Sequence, residues 1–258
     1  MKIITGHQPV YLPWLGLFHK ISLADKFVFM DDVQYLEQDW NNRNRIKGPQ
    51  GAFWLTVPVN LKGSNTKFLK DIRTVSEGWQ SKNHWQKKHW KSLQLSYCNA
   101  PYWDDHAPFL EDFYMSHPWE WLSELNESML RYLLEALRIN IEFIKASEFG
   151  FNGQKSDLVL DHCRKLNGTL CILGALGRDY INENSFLNEG ISLHYQNYKH
   201  PVYKQALGEF ISHLSIFDLL FNHGMESLEI LKSGNVTREE LETENKLIGK
   251  PTVLETAA

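Results

Sequence analysis

A chain of 258 residues, 43% apolar and 22% charged, is long enough to bury a sizeable core as one α/β domain or a core with a subdomain. A net charge of −4 gives no global attraction for a long nucleic acid. No run approaches the roughly 18 continuous apolar residues of a membrane span, and the N-terminus lacks a signal peptide's apolar core and cleavage site. Cys98, Cys163 and Cys171 are scattered without a C-x-x-C pair, so no disulfide framework or thiolate metal site is expected, and a reducing cytoplasm is the expected location.

Residues 2–5 read as a short buried strand. The loop Gly6–Gly16 follows, with a histidine, an amide, two prolines, two large aromatics and two glycines in eleven residues, poor helix or strand material but suited to a rigid binding loop. Pro13–Ala24 predicts a helix with proline in its first turn and Leu17, Phe18 and Ile21 on one side. Phe27–Met30 predicts a second buried strand, giving a β-α-β unit and a parallel pair. Ligands of such sheets sit beyond the carboxyl ends of strands near a switch in strand order, so Gly6-His7 and Asp31-Asp32 are expected to share a crevice if their strands are neighbours.

From Val33 to Asn60 the chain turns polar and aromatic, with Phe53–Val59 as a strand that Pro58 places at an edge or end and residues 69–75 as its antiparallel partner. A long helical region spans about 79–137, broken near Ala100-Pro101 and His117-Pro118. Ile141–Lys145 predicts a strand, Lys155–Leu166 a helix closed by Asn167-Gly168, Thr169–Leu173 a strand, Gly177–Leu187 a helix and Ile191–Tyr195 a last strand. Ser215-Ile216-Phe217-Asp218 has the spacing of a capping box with Asp in the last place, and the charged tail beyond about 234 is expected to fray. The expected fold is α/β: a mostly parallel Rossmann-like sheet with a small antiparallel excursion and a helical insert at about 79–137. It forms one domain over residues 1–232, with a charged tail at 233–258.

His7, where a loop leaves a strand, is a candidate general base, proton donor or anion contact; the plainer alternative is a histidine bonded to a backbone carbonyl. Asp31 and Asp32 are adjacent and point to opposite faces, so at most one, Asp32 as a second candidate base, faces the crevice directly. Trp40–Gly48 concentrates three cations and three amides in nine residues. Arg43 and Arg45 share a face if this segment is extended, and with Asn42 and Lys47 they form a candidate diphosphate or carboxylate clamp, against the alternative of a solvated charge run. Trp14, Trp40, Tyr35 and Tyr195 lie among polar residues and are candidates for stacking on a ring or sugar face. His84 and His89 lie about 140° apart around a helix, unlike a zinc-binding H-E-x-x-H pair, so Trp85 and His89 are read as packed or ligand-lining and no metal site is expected. Gly174-Ala175-Leu176-Gly177-Arg178 follows a strand and opens a helix, which suits an anion at the helix start or close strand–helix packing.

The combination His7-Gln8-Pro9-x-Tyr11-Leu12-Pro13-Trp14-x-Gly16, Asp31-Asp32-Val33-Gln34-Tyr35, Trp40-x-Asn42-Arg43-Asn44-Arg45-Ile46-Lys47 and Trp54–Val59 is similar to the WbqC-like protein family. His84-Trp85-x-Lys87-x-His89-Trp90, Ala100-Pro101-Tyr102, Tyr195-Gln196-x-Tyr198-x-His200-Pro201 and Leu214–Asn222 extend the resemblance over about residues 1–232. One departure lies at Leu173–Gly177, where family members are expected to carry a Ser-Gly-Pro-like turn, so no hydroxyl role is assigned to this loop. The resemblance implies a place in bacterial O-antigen and polysaccharide assembly and a glycine transferase role. A weaker similarity is to adenylyltransferases with H-x-G-H motifs, but the early histidines here, His7 and His19, stand twelve apart.

The expected function is therefore transfer of glycine or another acyl group to a nucleotide-linked amino sugar, from an activated donor such as a carrier protein or aminoacyl-tRNA. The alternatives are a nucleotide-dependent ligase that activates its own donor with ATP and Mg²⁺, and a non-catalytic sugar-nucleotide-binding protein. His7 or Asp32 would act as base and Gln8 or Asn42 would serve the oxyanion. Arg43 and Arg45 would hold the diphosphate, and Tyr11, Trp14, Asp31, Gln34, Trp40, Lys47, His89, Gly174, Arg178, Tyr195 and His200 would line the substrate.

Overall fold

The computed structural model describes residues 1–61 and 68–248, with side chains to 244. The chain opens with β1 (Ile3–His7), α1 (Leu15–Leu23) and β2 (Lys26–Phe29). It leaves the sheet for β3 (Arg43–Gly48), β4 (Gly51–Thr56), β5 (Val59–Asn60), β6 (Arg73–Thr74), α2 (Trp85–Tyr97), α3 (Trp103–Met115) and α4 (Leu122–Ala136). It returns with β7 (Glu142–Lys145), α5 (Ala146–Phe149), α6 (Ser156–Lys165), β8 (Leu170–Leu173), α7 (Glu183–Leu187) and β9 (Ser192–Tyr195), and closes with α8 (Ile216–His223), α9 (Ser227–Lys232) and α10 (Arg238–Ile248).

The main sheet is parallel throughout and runs β7-β2-β1-β8-β9, the Rossmann-like order in which the chain winds outward from β1 in one direction and then in the other. The switch in strand order lies between β1 and β8, paired through Thr5 and Ile172. Side-chain alternation divides the core. Phe27 and Phe29 of β2 join α1–α4 and α8 on one face, while Val28 joins Ile4, Ile144, Cys171 and Leu173 under α6 on the other. The same alternation sends His7 to the side of Ile3 and Thr5.

Several elements differ from expectation, each for a physical reason. Helix α1 starts at Leu15, because Pro13 and Trp14 bond across to the segment before α8: Ile216 N–H donates to the Pro13 carbonyl at 2.8 Å and Trp14 bridges to Ser215. Residues expected as one strand over 53–59 belong to two ladders, β4 pairing with β3 as a hairpin and β5 pairing with β6. Gly177–Leu187 is a short 3-10 turn (Ala175–Asp179) followed by α7 rather than one helix. Ser215 caps Phe217 N–H, but Asp218 turns into the core instead of reaching back. Residues 238–248, expected to fray, form α10, docked by buried Leu241 and by Arg238 on Asp25 at 2.8 Å; residues 249–258 lie outside the described residues.

Candidate functional site

The loop leaving β1 is held from several sides. Tyr11, fully buried, places its hydroxyl 2.8 Å from His89 Nδ1 and against the Tyr114 hydroxyl. Asn41 Nδ2 donates to the Pro9 carbonyl at 2.8 Å, Asn44 Nδ2 donates to the Leu12 carbonyl, and Tyr11 N–H donates to the Trp40 carbonyl at 3.2 Å. So fixed, Leu12 holds a left-handed φ of 47°, a conformation that costs a leucine about 1 kcal/mol or more and persists where surroundings over-determine it. The loop is a rigid rim, as its composition predicts.

On that rim His7 Nδ1 lies 2.8 Å from the Gln8 carbonyl oxygen. A carbonyl only accepts, so the proton belongs to Nδ1 and Nε2 presents its lone pair. Burial, reinforced by the Lys20 ammonium and opposed by the Gln8 hydrogen bond, lowers the imidazole to about 3, so His7 stays neutral through the physiological range. Its ring meets Trp14 edge-on at 5.1 Å. A Cβ on Gly16 would sit 3.0 Å from the Trp14 indole nitrogen and from Tyr198, so glycine there leaves room for the indole over the first turn of α1.

An aromatic ledge runs outward from Trp14. Trp40 lies 6.3 Å from Trp14 and Trp54 lies 5.4 Å from Trp40, with exposures of 38% and 45% for the outer two. Arg45 pairs with Trp54 across the β3–β4 ladder, and alternation sets Arg43 on the same face, as expected. Their guanidinium carbons lie 4.7 Å (Arg43) and 5.8 Å (Arg45) from the Trp54 ring centre. Arg43 donates to the Gln38 carbonyl and Arg45 to the His213 carbonyl at 3.3 Å, while Arg45 Nε is buried without a partner among the described residues.

His7, Gln8, Trp14, Trp40, Arg43 and Arg45 therefore form a connected set, and several other predicted residues are committed elsewhere. Tyr11 and His89 are core partners; burial drives His89 to about 3. Asn42 donates to the Val57 carbonyl at 2.9 Å, tying β3 to the end of β4. Lys47 leaves the clamp: its ammonium binds Gln205 Oε1 at 2.7 Å and the Glu209 carbonyl. Asp31 is spent on Ser147, accepting from its N–H at 2.9 Å and its hydroxyl at 2.6 Å, which fastens β2 to α5. Asp32 is half-buried, its carboxyl raised by burial and by Asp31, with Oδ1 unpartnered among the described residues. Gln34 is exposed and bridges to Phe68. Both ring nitrogens of His200 are occupied, by the Pro201 carbonyl and His213 N–H.

Across the switch point, Arg178 lies 4.3 Å over Tyr195, whose hydroxyl donates to Glu183 at 2.8 Å. The turn after β8 is 3-10 and five residues long, and a Cβ on Gly177 would press Leu173 at 2.9 Å while Gly174 faces open space. Close packing accounts for Gly177, and no helix start for an anion forms there. Among the described residues no group of three His, Cys, Asp or Glu side chains could hold a metal, and no helix is long and apolar enough to cross a membrane.

Sequence reasoning passed over Lys20, Asn41, Asn44 and Trp54. Lys20 is the one lysine in Leu15–Leu23, where every residue but Ser22 is buried, and nothing in the sequence marks it as buried.

The sequence profile of the WbqC-like protein family matches residues 8–230, from the loop after His7 through the ledge, the insert and both halves of the sheet. The chain belongs to the WbqC-like protein family. The chain is similar to an uncharacterized protein, Rv1507c, of Mycobacterium tuberculosis, 34% identical over 234 residues, which cover 90% of this chain and 98% of the relative. No solved structure matches the chain.

Proposed function

We propose that this WbqC-like protein is a cytoplasmic transferase of bacterial surface-polysaccharide assembly that moves glycine or a similar acyl group onto the amine of a nucleotide-linked amino sugar. The observation that carries the reading is His7, held neutral with no hydrogen bond at Nε2 among the described residues, at the inner end of the Trp14–Trp40–Trp54 ledge that Arg43 and Arg45 flank. An imidazole that does not protonate in the physiological range is always an acceptor, and the negative charge of a bound diphosphate beside it would raise its basicity. In the reaction the sugar amine attacks the carbonyl carbon of an activated acyl donor, a thioester or ester. The C–N bond forms, the bond to the leaving thiol or alcohol breaks, and the proton lost by nitrogen passes to Nε2 and then to the leaving group. The ledge suits a sugar or base ring, and the arginines suit its phosphates.

Purified protein with glycine, ATP, Mg²⁺ and an amino-sugar nucleotide, analysed by mass spectrometry, tests this against its neighbours. Product that appears only with a charged carrier protein or aminoacyl-tRNA supports a transferase. AMP release with a glycine adduct indicates a ligase that activates its own donor, and ligand binding without turnover indicates a sugar-nucleotide-binding protein. His7→Gln is expected to slow turnover by about 10²–10⁴-fold, the usual worth of a positioned acid or base; full activity in that variant ends the assignment of His7.

A further inference from the structure

Helix α1 buries its lysine. Lys20 is 3% exposed, and its ammonium makes one hydrogen bond, to the carbonyl oxygen of Gly6 at 2.9 Å, on the strand residue before His7. No carboxylate among the described residues forms an ion pair with it. Two of its three N–H groups thus have no hydrogen bond among the described residues. The neighbouring His7 ring is neutral and turns its own N–H toward Gln8, so it supplies no countercharge. A buried ammonium without an anion is expensive, and burial lowers it to about 8. A fold that keeps this group at the carboxyl end of the central strand, beside the switch in strand order, keeps it where ligands of such sheets carry their charge.

We propose that Lys20 is the cation that receives an oxyanion of the bound substrate, its free N–H groups pairing with the ligand while Gly6 holds the ammonium in place. This rests on the reading of the rim around His7 as a substrate site and adds the chemistry of what binds it: a phosphoryl oxygen of the nucleotide diphosphate or the carboxylate of an amino-acid donor. The arginines on Trp54 lie at the outer end of the ledge and Lys20 at the inner end, so the substrate would carry negative charge at the end nearest His7.

Calorimetry of the full chain with two probes, inorganic pyrophosphate and glycine, separates the sources of the oxyanion. If pyrophosphate binding falls about tenfold or more in Lys20→Met, the group is phosphoryl; if glycine binding falls instead, it is carboxylate. Equal affinities in wild type and variant, or no binding of either probe to wild type, overturn the proposal. Should Lys20→Met fail to fold, NMR of wild type carrying 13Cε-lysine decides the same question. The lysine signal that titrates below the others is expected to move on adding pyrophosphate or glycine, and a signal that stays overturns the proposal. Neither readout needs turnover, so lost transfer activity with Lys20-dependent anion binding intact sinks only the transferase reading, and the reverse sinks only this one.

Discussion

Lys20 and Lys47 are each 3% exposed, yet the protein treats their charges in opposite ways. Lys47 sits in a fuller knot: its ammonium binds Gln205 and the Glu209 carbonyl, and the nearby Asp218 carboxylate, whose charge favours the ammonium, accepts from Tyr97 at 3.0 Å, Tyr203 at 2.9 Å and Gln205 at 2.7 Å. Lys20 has one carbonyl among the described residues. A buried polar cluster with every partner internal specifies the fold, whereas a buried charge left half-partnered points outward to something the fold does not contain.

Removing the anion from the fuller knot gives the largest expected effect. Asp218→Ala leaves Lys47 buried without its countercharge and strands two tyrosine hydroxyls and an amide, so a loss of about 3–5 kcal/mol is expected in equilibrium urea unfolding. Asp218→Asn keeps the volume and one acceptor oxygen and should cost less, about 1–3 kcal/mol. An alanine variant as stable as wild type would erase the contrast between the two lysines.

The incomplete site predicts a change of opposite sign. Lys20 titrates at about 8 in the fold and near its ordinary value of 10.5 when unfolded. Below pH 8 both states hold the proton and the full desolvation cost falls on the folded state. Between 8 and 10.5 the unfolded chain binds the proton more tightly than the folded one, so stability rises with pH in that window. Lys20→Met should therefore be more stable than wild type at pH 7 by up to about 3 kcal/mol, and the gap should close as pH rises from 8 to 10.5. Paired urea titrations at pH 7 and pH 10 measure it, and a gap that is absent at pH 7 or constant with pH would mean that the burial of Lys20 is not the cost inferred.

What was legible in the sequence follows the same division. The β-α-β opening, the parallel sheet and the breaks in the helical insert were visible, because continuous apolar runs and prolines act locally. The hairpin was not. Half of β3 is arginine and lysine, and the apolar residues it pairs with, Leu55, Trp54 and Phe53, lie on the facing strand. In the site, the rigidity of the Gly6–Gly16 loop and the shared face of Arg43 and Arg45 could be read from composition and alternation. Tyr11 could not be placed, because the core that buries it and the partners of its hydroxyl, His89 and Tyr114, lie far along the chain. Asp218 read as a cap for a related reason: Ser215 does cap the helix, but the partners that claim Asp218 come from α2 and from the 203–205 segment. Lys20 was hidden because one lysine on a helix ordinarily reads as a solvated charge.

The smallest stability effect belongs to the ledge. Trp54 is 45% exposed and its main contacts are Trp40 and the two arginines. Trp54→Ala uncovers the buried half of the indole and removes two cation–π contacts, so a loss of about 1–2 kcal/mol is expected in urea unfolding. Binding should change more. If the ledge carries a base or sugar ring, UDP-N-acetylglucosamine will quench wild-type tryptophan fluorescence, and Trp54→Ala will lose about tenfold or more in affinity, the worth of one stacked ring. Trp54→Phe, which keeps a smaller face, should fall between the two. A ledge that counts for less in stability than in binding belongs with Lys20 among the groups the fold leaves for a ligand. Unchanged affinity in Trp54→Ala would instead leave Trp54 as a cover for the arginines and confine recognition to the inner end of the rim, at Trp14, His7 and Lys20.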